Sequence, residues 1–222
     1  MSETAAGFIF DLDGVLTDTS ELHYLAWKRL ADEEGIPFSR ADNEALRGVS
    51  RRESLNRLLR GQPIDEATAQ AWMARKNGYY VDLLDTLSPQ NVLPGVHEFL
   101  DAARKAGIRL GVGSASKNAR LVLGRLDLLA RFDVIGDGYC VVHPKPHSDL
   151  FVWVAGGLGL PVARCVVFED AEAGVEAALA AGMTCVGIGP HERVGAAHLV
   201  CDGLAAITPE QVIGLLARSA SG

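Results

Sequence analysis

The apolar positions of this chain fall into two regimes. From Leu93-Pro94-Gly95 onward, short runs that are apolar at nearly every position alternate with stretches of helical period. They predict a helix over 95–106 closed by Gly107, a strand over 108–113, a helix over 117–126, and a strand around 132–135. A helix over 148–158, a strand over 165–168, a helix over 173–181 closed by Gly182, and a strand over 185–188 follow. A weak strand near Leu199-Val200 precedes a last helix, which Thr208-Pro209 opens with a cap and an N1 proline. Strands that are apolar throughout, each followed by a helix, imply a parallel sheet covered on both faces.

The first ninety residues read differently. Phe8 to Phe10 form one more apolar strand, and then no strand pattern occurs between residues 19 and 90. Asp18-Thr19-Ser20-Glu21 has the form of a capping box opening a helix that runs to Glu34 and ends at Gly35, with Leu22, Ala26 and Leu30 as its apolar stripe. Ser50-Arg51-Arg52-Glu53 is a second box, opening a helix that stops at Gly61. A longer helical pattern runs from Asp65 to about Leu87. The fold class is therefore α/β, a parallel-sheet core with an all-helical unit inserted after the first strand.

In such sheets ligands sit at the carboxyl ends of the strands. Asp11 and Asp13 follow the first strand, with Gly14 allowing a sharp departure of the backbone. Ser114-Ala115-Ser116 follows the second, Lys145 lies in the loop after the third, and Glu169-Asp170 follows the fourth. A calcium loop is excluded, because it requires glycine at its sixth position and Glu at its twelfth, whereas Gly14 is fourth and Leu22 twelfth. Singly, each feature has a plain explanation: a turn, a helix cap, a surface lysine, an acidic helix start. Together, at one end of one sheet, they make a metal-assisted phosphoryl-transfer site. The carboxylates would hold a hard cation such as Mg²⁺, and Ser114, backbone N–H groups and Lys145 would neutralise phosphate oxygens.

Composition narrows the partners. A net charge of −7 with no basic run argues against a nucleic-acid partner, so an anion must be met by a local positive pocket. No segment approaches a membrane span, and no basic region followed by a long apolar stretch opens the chain, so a soluble cytoplasmic protein without a membrane partner is expected. Cys140, Cys165, Cys185 and Cys201 show no paired spacing and are expected to be buried, reduced thiols.

Asp11-Leu12-Asp13-Gly14-Val15, Ser114, Lys145-Pro146 and Glu169-Asp170 resemble, in order, the four motifs of the haloacid-dehalogenase-like (HAD) phosphotransferases. The resemblance implies a Rossmann-like core over residues 1–18 and 91–222, with a mobile helical cap over 19–90. Within that superfamily, Thr17-Asp18-Thr19, His23, Trp27, Gly48-Val49-Ser50-Arg51 with Ser54-Leu55, Arg75-Lys76-Asn77 and Ser114 to Asn118 resemble the β-phosphoglucomutases. That implies an isomerase which interconverts β-D-glucose 1-phosphate and glucose 6-phosphate through an aspartyl phosphate and a β-glucose 1,6-bisphosphate.

The resemblance further implies roles. Asp11 would be the nucleophile and Asp13 the general acid/base, with Thr19 at the cap hinge. Mg²⁺ would be held by Asp11, the Asp13 carbonyl and Asp170, with Glu169 in or beside its shell. Ser114, Ala115 and Lys145 would grip the transferring phosphoryl group. Arg51, Ser116, Lys117 and Asn118 would bind the other phosphate, and His23, Trp27, Ser54 and Lys76 would lie near the substrate. A monomer acting on small hexose phosphates is expected. The alternatives are a HAD-type sugar-phosphate phosphatase and a non-catalytic phosphometabolite sensor. Two departures stand out: His147-Ser148-Asp149 where the family commonly has Ala-Pro-Asp, with His143 upstream, and a small Gly113 before the serine motif.

Overall fold

The computed structural model describes residues 5–219. Its apolar runs become six strands: β1 (Gly7–Phe10), β2 (Arg109–Gly113), β3 (Val134–Gly136), β4 (Cys165–Glu169), β5 (Thr184–Ile188) and β6 (Leu199–Cys201). They form one all-parallel sheet in the order β3-β2-β1-β4-β5-β6. β1 is central, with Phe10 level with Val112 on one side and Phe168 on the other. Period-two alternation sends Phe8, Phe10 and Phe168 to one face and Ile9 and Val167 to the other, and both faces are buried. This explains why the strands are apolar at consecutive positions.

The helices are α1 (Ser20–Glu33), α2 (Arg40–Glu44), α3 (Arg51–Leu59), α4 (Glu66–Leu83), α5 (Val96–Lys105), α6 (Ala119–Arg125), α7 (Asp149–Gly157), α8 (Glu172–Ala180), α9 (His191–Val194) and α10 (Pro209–Ser219). α5, α6 and α10 cover the face carrying Phe10, where its ring stacks on Phe168 at 4.6 Å between centroids. α7 and α8 cover the other face through Phe151, Val154 and Val175. The small Gly113 now has a reason: a Cβ there would lie 2.9 Å from the Phe151 ring, so a larger residue would drive α7 off the sheet.

α1 to α4 carry a separate apolar cluster built on Trp27, Leu30, Phe38, Leu55, Leu58 and Met73. The two ends of this helical segment lie side by side, with Thr17 Oγ1 donating to the Asn91 carbonyl at 2.8 Å and the Leu93 N–H to the Leu16 carbonyl at 2.9 Å. α2 was not anticipated, since none of its residues is buried and only a Ser39/Asp42 capping box marks it. The expected box at the start of α1 is also corrected. Thr19 holds the N-cap position but makes no side-chain cap bond; its hydroxyl is directed elsewhere, and Asp18 instead accepts from the Ser20 N–H at 2.9 Å. Of the cysteines, Cys165 and Cys185 are buried but Cys140 and Cys201 are only half-buried, and all four are free. No helix among the described residues is long and apolar enough to cross a membrane.

Candidate active site

β1 ends by passing its chain between β2 and β4, so the residues that follow project above the carboxyl edge of the sheet. The Asp11 N–H still bonds the Phe168 carbonyl at 2.9 Å, which fixes Asp11 to β4 and keeps it buried. Its Oδ2 accepts from the Asp13 N–H at 3.0 Å, a short loop that Gly14 closes with φ +77°. Only glycine fits at that position, because a Cβ would lie 2.1 Å from Asp170 Oδ2.

Lys145 reaches the same point from the loop after β3. Its Nζ donates to Asp11 Oδ1 at 2.5 Å and to Glu169 Oε2 at 2.8 Å, with both partners buried. Burial opposes the lysine's charge, but the adjoining Asp11 and Glu169 carboxylates override it and hold the ammonium form. Burial, reinforced by the charge of Asp11, pushes the carboxyl groups of Glu169 and Asp170 upward. Oxygen atoms of Asp11, Glu169 and Asp170 all lie within 4.8 Å of one another. This all-oxygen donor set fits a hard divalent cation.

Asp13 is set apart from that cluster. Its Oδ1 accepts from the Thr19 hydroxyl, which in turn accepts from Tyr80 at 3.3 Å. Burial and the charge of Asp11 push its carboxyl up to about 7, against the lowering effect of the Thr19 bond. An acid poised there can both give and take a proton near neutral pH.

A cleft of about 530 Å³ separates the sheet edge from the helical segment. Every sequence-predicted site residue lines it except Thr19 and Glu169, which stand behind Asp13 and Lys145. Ser114 is buried beside the nucleophile candidate, its N–H held by the Gly136 carbonyl and its Oγ accepting from the Ser116 N–H at 3.1 Å. On the helical side His23 Nδ1 lies 2.9 Å from Lys76 Nζ, which itself sits 5.0 Å from the Trp27 ring centroid and 4.8 Å from that of Tyr80. Ser54 is buried behind Ser50 and Arg51 at the start of α3. Arg51, Ser116, Lys117 and Asn118 also line the cleft, and Arg51 and Asn118 meet on the Asn77 Oδ1, at 2.6 and 2.9 Å. The departure at His143 and His147 is confined to the surface: His143 pairs with Asp149 at 2.9 Å while Lys145 stays buried.

Sequence reasoning missed two cations on Asp170. Arg47 Nη1 donates to Asp170 Oδ2 at 2.8 Å, and Arg193 Nε donates to the Asp170 carbonyl at 2.6 Å. Arg47 stands directly before Gly48-Val49-Ser50-Arg51, so a basic residue leading that stretch was a usable signal. For Arg193, on the four-residue α9, the sequence carries none.

A family model described as haloacid dehalogenase-like hydrolase matches residues 5–182. The chain is 41% identical over 196 residues to a β-phosphoglucomutase of Bacillus subtilis, covering 86% of this chain and 87% of that one. It is 31% identical over 211 residues to a phosphorylated carbohydrates phosphatase of Thermotoga maritima, covering 94% and 96%. A crystal structure of β-phosphoglucomutase from Clostridium difficile superposes with a TM-score of 0.94 at 37% identity, covering 98% of this chain and all of that one.

Proposed function

The chain belongs to the haloacid dehalogenase-like hydrolase family, and within it we propose that it is a β-phosphoglucomutase, interconverting β-D-glucose 1-phosphate and glucose 6-phosphate. The observation that carries this reading is one cleft lined by two sets of phosphate-competent groups: the buried Asp11, Lys145 and Ser114, and Arg51, Ser116, Lys117 and Asn118. A mutase that handles a bisphosphate needs to hold one phosphate while it transfers the other. In this reading residues 1–18 and 91–222 are the catalytic core and 19–90 the cap. The enzyme acts as a cytoplasmic monomer on small hexose phosphates.

Asp11 is the nucleophile. In one half-reaction its carboxylate oxygen attacks the C1 phosphorus of the bisphosphate; the bond from phosphorus to the C1 oxygen breaks, and Asp13 delivers a proton to that oxygen. In the other, the 6-hydroxyl of β-glucose 1-phosphate attacks the aspartyl phosphate, Asp13 takes the hydroxyl proton, and Asp11 is released as carboxylate. Ser114, the Ala115 N–H and Lys145 orient the transferring group. Asp11, the Asp13 carbonyl, Glu169 and Asp170 would hold Mg²⁺, which would supply neutralisation of phosphoryl charge. His23, Trp27, Ser54 and Lys76 bind the sugar side. The cap excludes water, which would otherwise hydrolyse the phosphoenzyme.

The test supplies β-glucose 1-phosphate, Mg²⁺ and a trace of the bisphosphate, and follows glucose 6-phosphate by coupled oxidation. Turnover of the β anomer and not the α anomer is expected; equal rates for both, or none, would reject the mutase. Asp11→Asn is expected to incorporate no radiolabelled phosphate. The Thermotoga relative supports a second reading, a sugar-phosphate phosphatase on the same site. Rapid phosphate release from many sugar phosphates without isomerisation would select it.

A further inference from the structure

Arg51 begins α3 and lines the cleft half-buried, where burial pushes its guanidinium below its ordinary value. Among the described residues no carboxylate pairs with it, and its side-chain hydrogen bond goes instead to the neutral Asn77, whose Oδ1 accepts from Arg51 Nη2 at 2.6 Å. The same oxygen accepts from Asn118 Nδ2 at 2.9 Å. Asn77 belongs to α4, Arg51 to α3, and Asn118 is the N-cap of α6. One amide oxygen therefore ties two elements of the helical segment to the edge of the sheet. Asn77 itself does not line the cleft.

We infer that Asn77 is a positioning residue for the phosphate that is not being transferred: its side-chain carbonyl aligns Arg51 and Asn118 across the cap–core boundary without cancelling the charge of Arg51. The inference rests on the sugar-phosphate reading above. A guanidinium carries five N–H donors in a fixed fork, so one bond to an amide leaves the others, and the full positive charge, for an anion. A carboxylate at this position would form a charge-assisted pair with the fork and spend the field that the phosphate is meant to meet. Removing the acceptor would leave Arg51 to sample rotamers, whose loss must then be made good on binding. Lys76 strengthens the argument. After burial, the nearby charge of Arg51 is the next influence pushing its ammonium down. An incoming anion would relieve the opposition between these two groups, both of which line the cleft.

The experiment compares wild type, Asn77→Ala, Asn77→Asp and Arg51→Ala by two readouts. The first is KM and kcat for β-glucose 1-phosphate. The second is phosphoenzyme formation from acetyl phosphate, which carries no second anion. Asn77→Ala is expected to raise KM about tenfold, the scale of one aligned hydrogen bond, with kcat much less affected. Asn77→Asp is expected to raise KM further. Acetyl phosphate should phosphorylate both variants far more nearly as it does wild type than the KM change would suggest. A wild-type KM for Asn77→Ala, an equal loss in both readouts, or an Asn77→Asp variant that binds like wild type would overturn the inference. Arg51→Ala separates the two levels of the argument. If it raises KM and Asn77→Ala does not, the inference alone fails; if it leaves KM unchanged, Arg51 does not bind the phosphate and the reading beneath fails as well.

Discussion

Arg47 and Asp170 meet across the cleft, Nη1 donating to Oδ2 at 2.8 Å, and this bond joins the helical segment to the carboxylate cluster. Asp170 is one of the three acids whose oxygens converge, so the guanidinium holds an oxygen that a divalent cation bound there would also use. Two cations competing for one oxygen bind at each other's expense. Arg47→Ala is therefore expected to bind Mn²⁺ more tightly than wild type. A hydrogen bond to a charged group contributes about 1.5–3 kcal/mol, and Arg47 is partly solvent-screened, so a gain of about three- to tenfold is the expected range. Titration followed by Mn²⁺ electron paramagnetic resonance measures it. Weaker binding in the variant would mean that Arg47 supports the cation and does not compete with it.

Thr19 and Asp13 give a pH prediction. Burial and Asp11 raise the Asp13 carboxyl to about 7, while the Thr19 hydroxyl bond favours the ionised form and lowers it. Thr19→Val keeps the shape and removes the donor, so the Asp13 pKa should rise further. The form that accepts the 6-hydroxyl proton is then populated only at higher pH. The ascending limb of kcat against pH should move alkaline by about one to two pH units, the scale of one hydrogen bond to a charged group. A limb that stays in place, or moves acid, would separate Thr19 from proton transfer.

The same pair shows what could be read from the chain and what could not. Continuously apolar strands announced a doubly covered parallel sheet, and once strand ends were known, Asp11, Ser114, Lys145 and Glu169 fell at one edge because topology brings successive strand ends together. From local spacing Thr19 was legible as part of a helix cap, and from the resemblance as a cap-hinge residue, but neither says that its hydroxyl will be drawn to an acid six residues upstream. Arg47 and Arg193 on Asp170, and Asn77 between Arg51 and Asn118, are contacts between distant segments. They depend on how the helical segment rests on the sheet, and no periodicity encodes that. α2 escaped notice because it buries nothing.

Gly174 supports the acid cluster from behind. It lies on α8, and a Cβ there would fall 2.0 Å from Glu169 Cδ and 2.2 Å from Oε2. In Gly174→Ala the Glu169 carboxylate must move and its 2.8 Å bond from Lys145 is broken. Overpacking of this kind costs about 1–3 kcal/mol, which denaturant unfolding would detect, and Mn²⁺ affinity should fall with it. Gly214→Ala is the control: it lies in α10 with nothing within 4 Å of the added Cβ. Replacing a helical glycine by alanine stabilises by about 0.5–1 kcal/mol. If Gly174→Ala proves as stable as Gly214→Ala and binds metal normally, the packing of α8 does not set the position of Glu169.

His23 makes stability depend on pH in a direction that can be worked out. Its ring stands 4.1 Å from that of Tyr80, and Nδ1 faces Lys76 Nζ at 2.9 Å. Burial, then the charges of Lys76 and Arg51, push its pKa well below the ordinary 6.5. Below about pH 6.5 the unfolded chain takes up a proton at this residue that the folded chain refuses. Stability is therefore lost as pH falls, by at most about 1.4 kcal/mol per pH unit from this group, or roughly 3–5 °C in melting temperature for a chain of this size. His23→Asn keeps an acceptor for Lys76 and has no proton to gain. Its melting temperature should fall less steeply than that of wild type from about pH 6.5 to about pH 5. Parallel melting curves for the two proteins over that window would show that His23 is protonated as easily in the folded enzyme as in the unfolded chain.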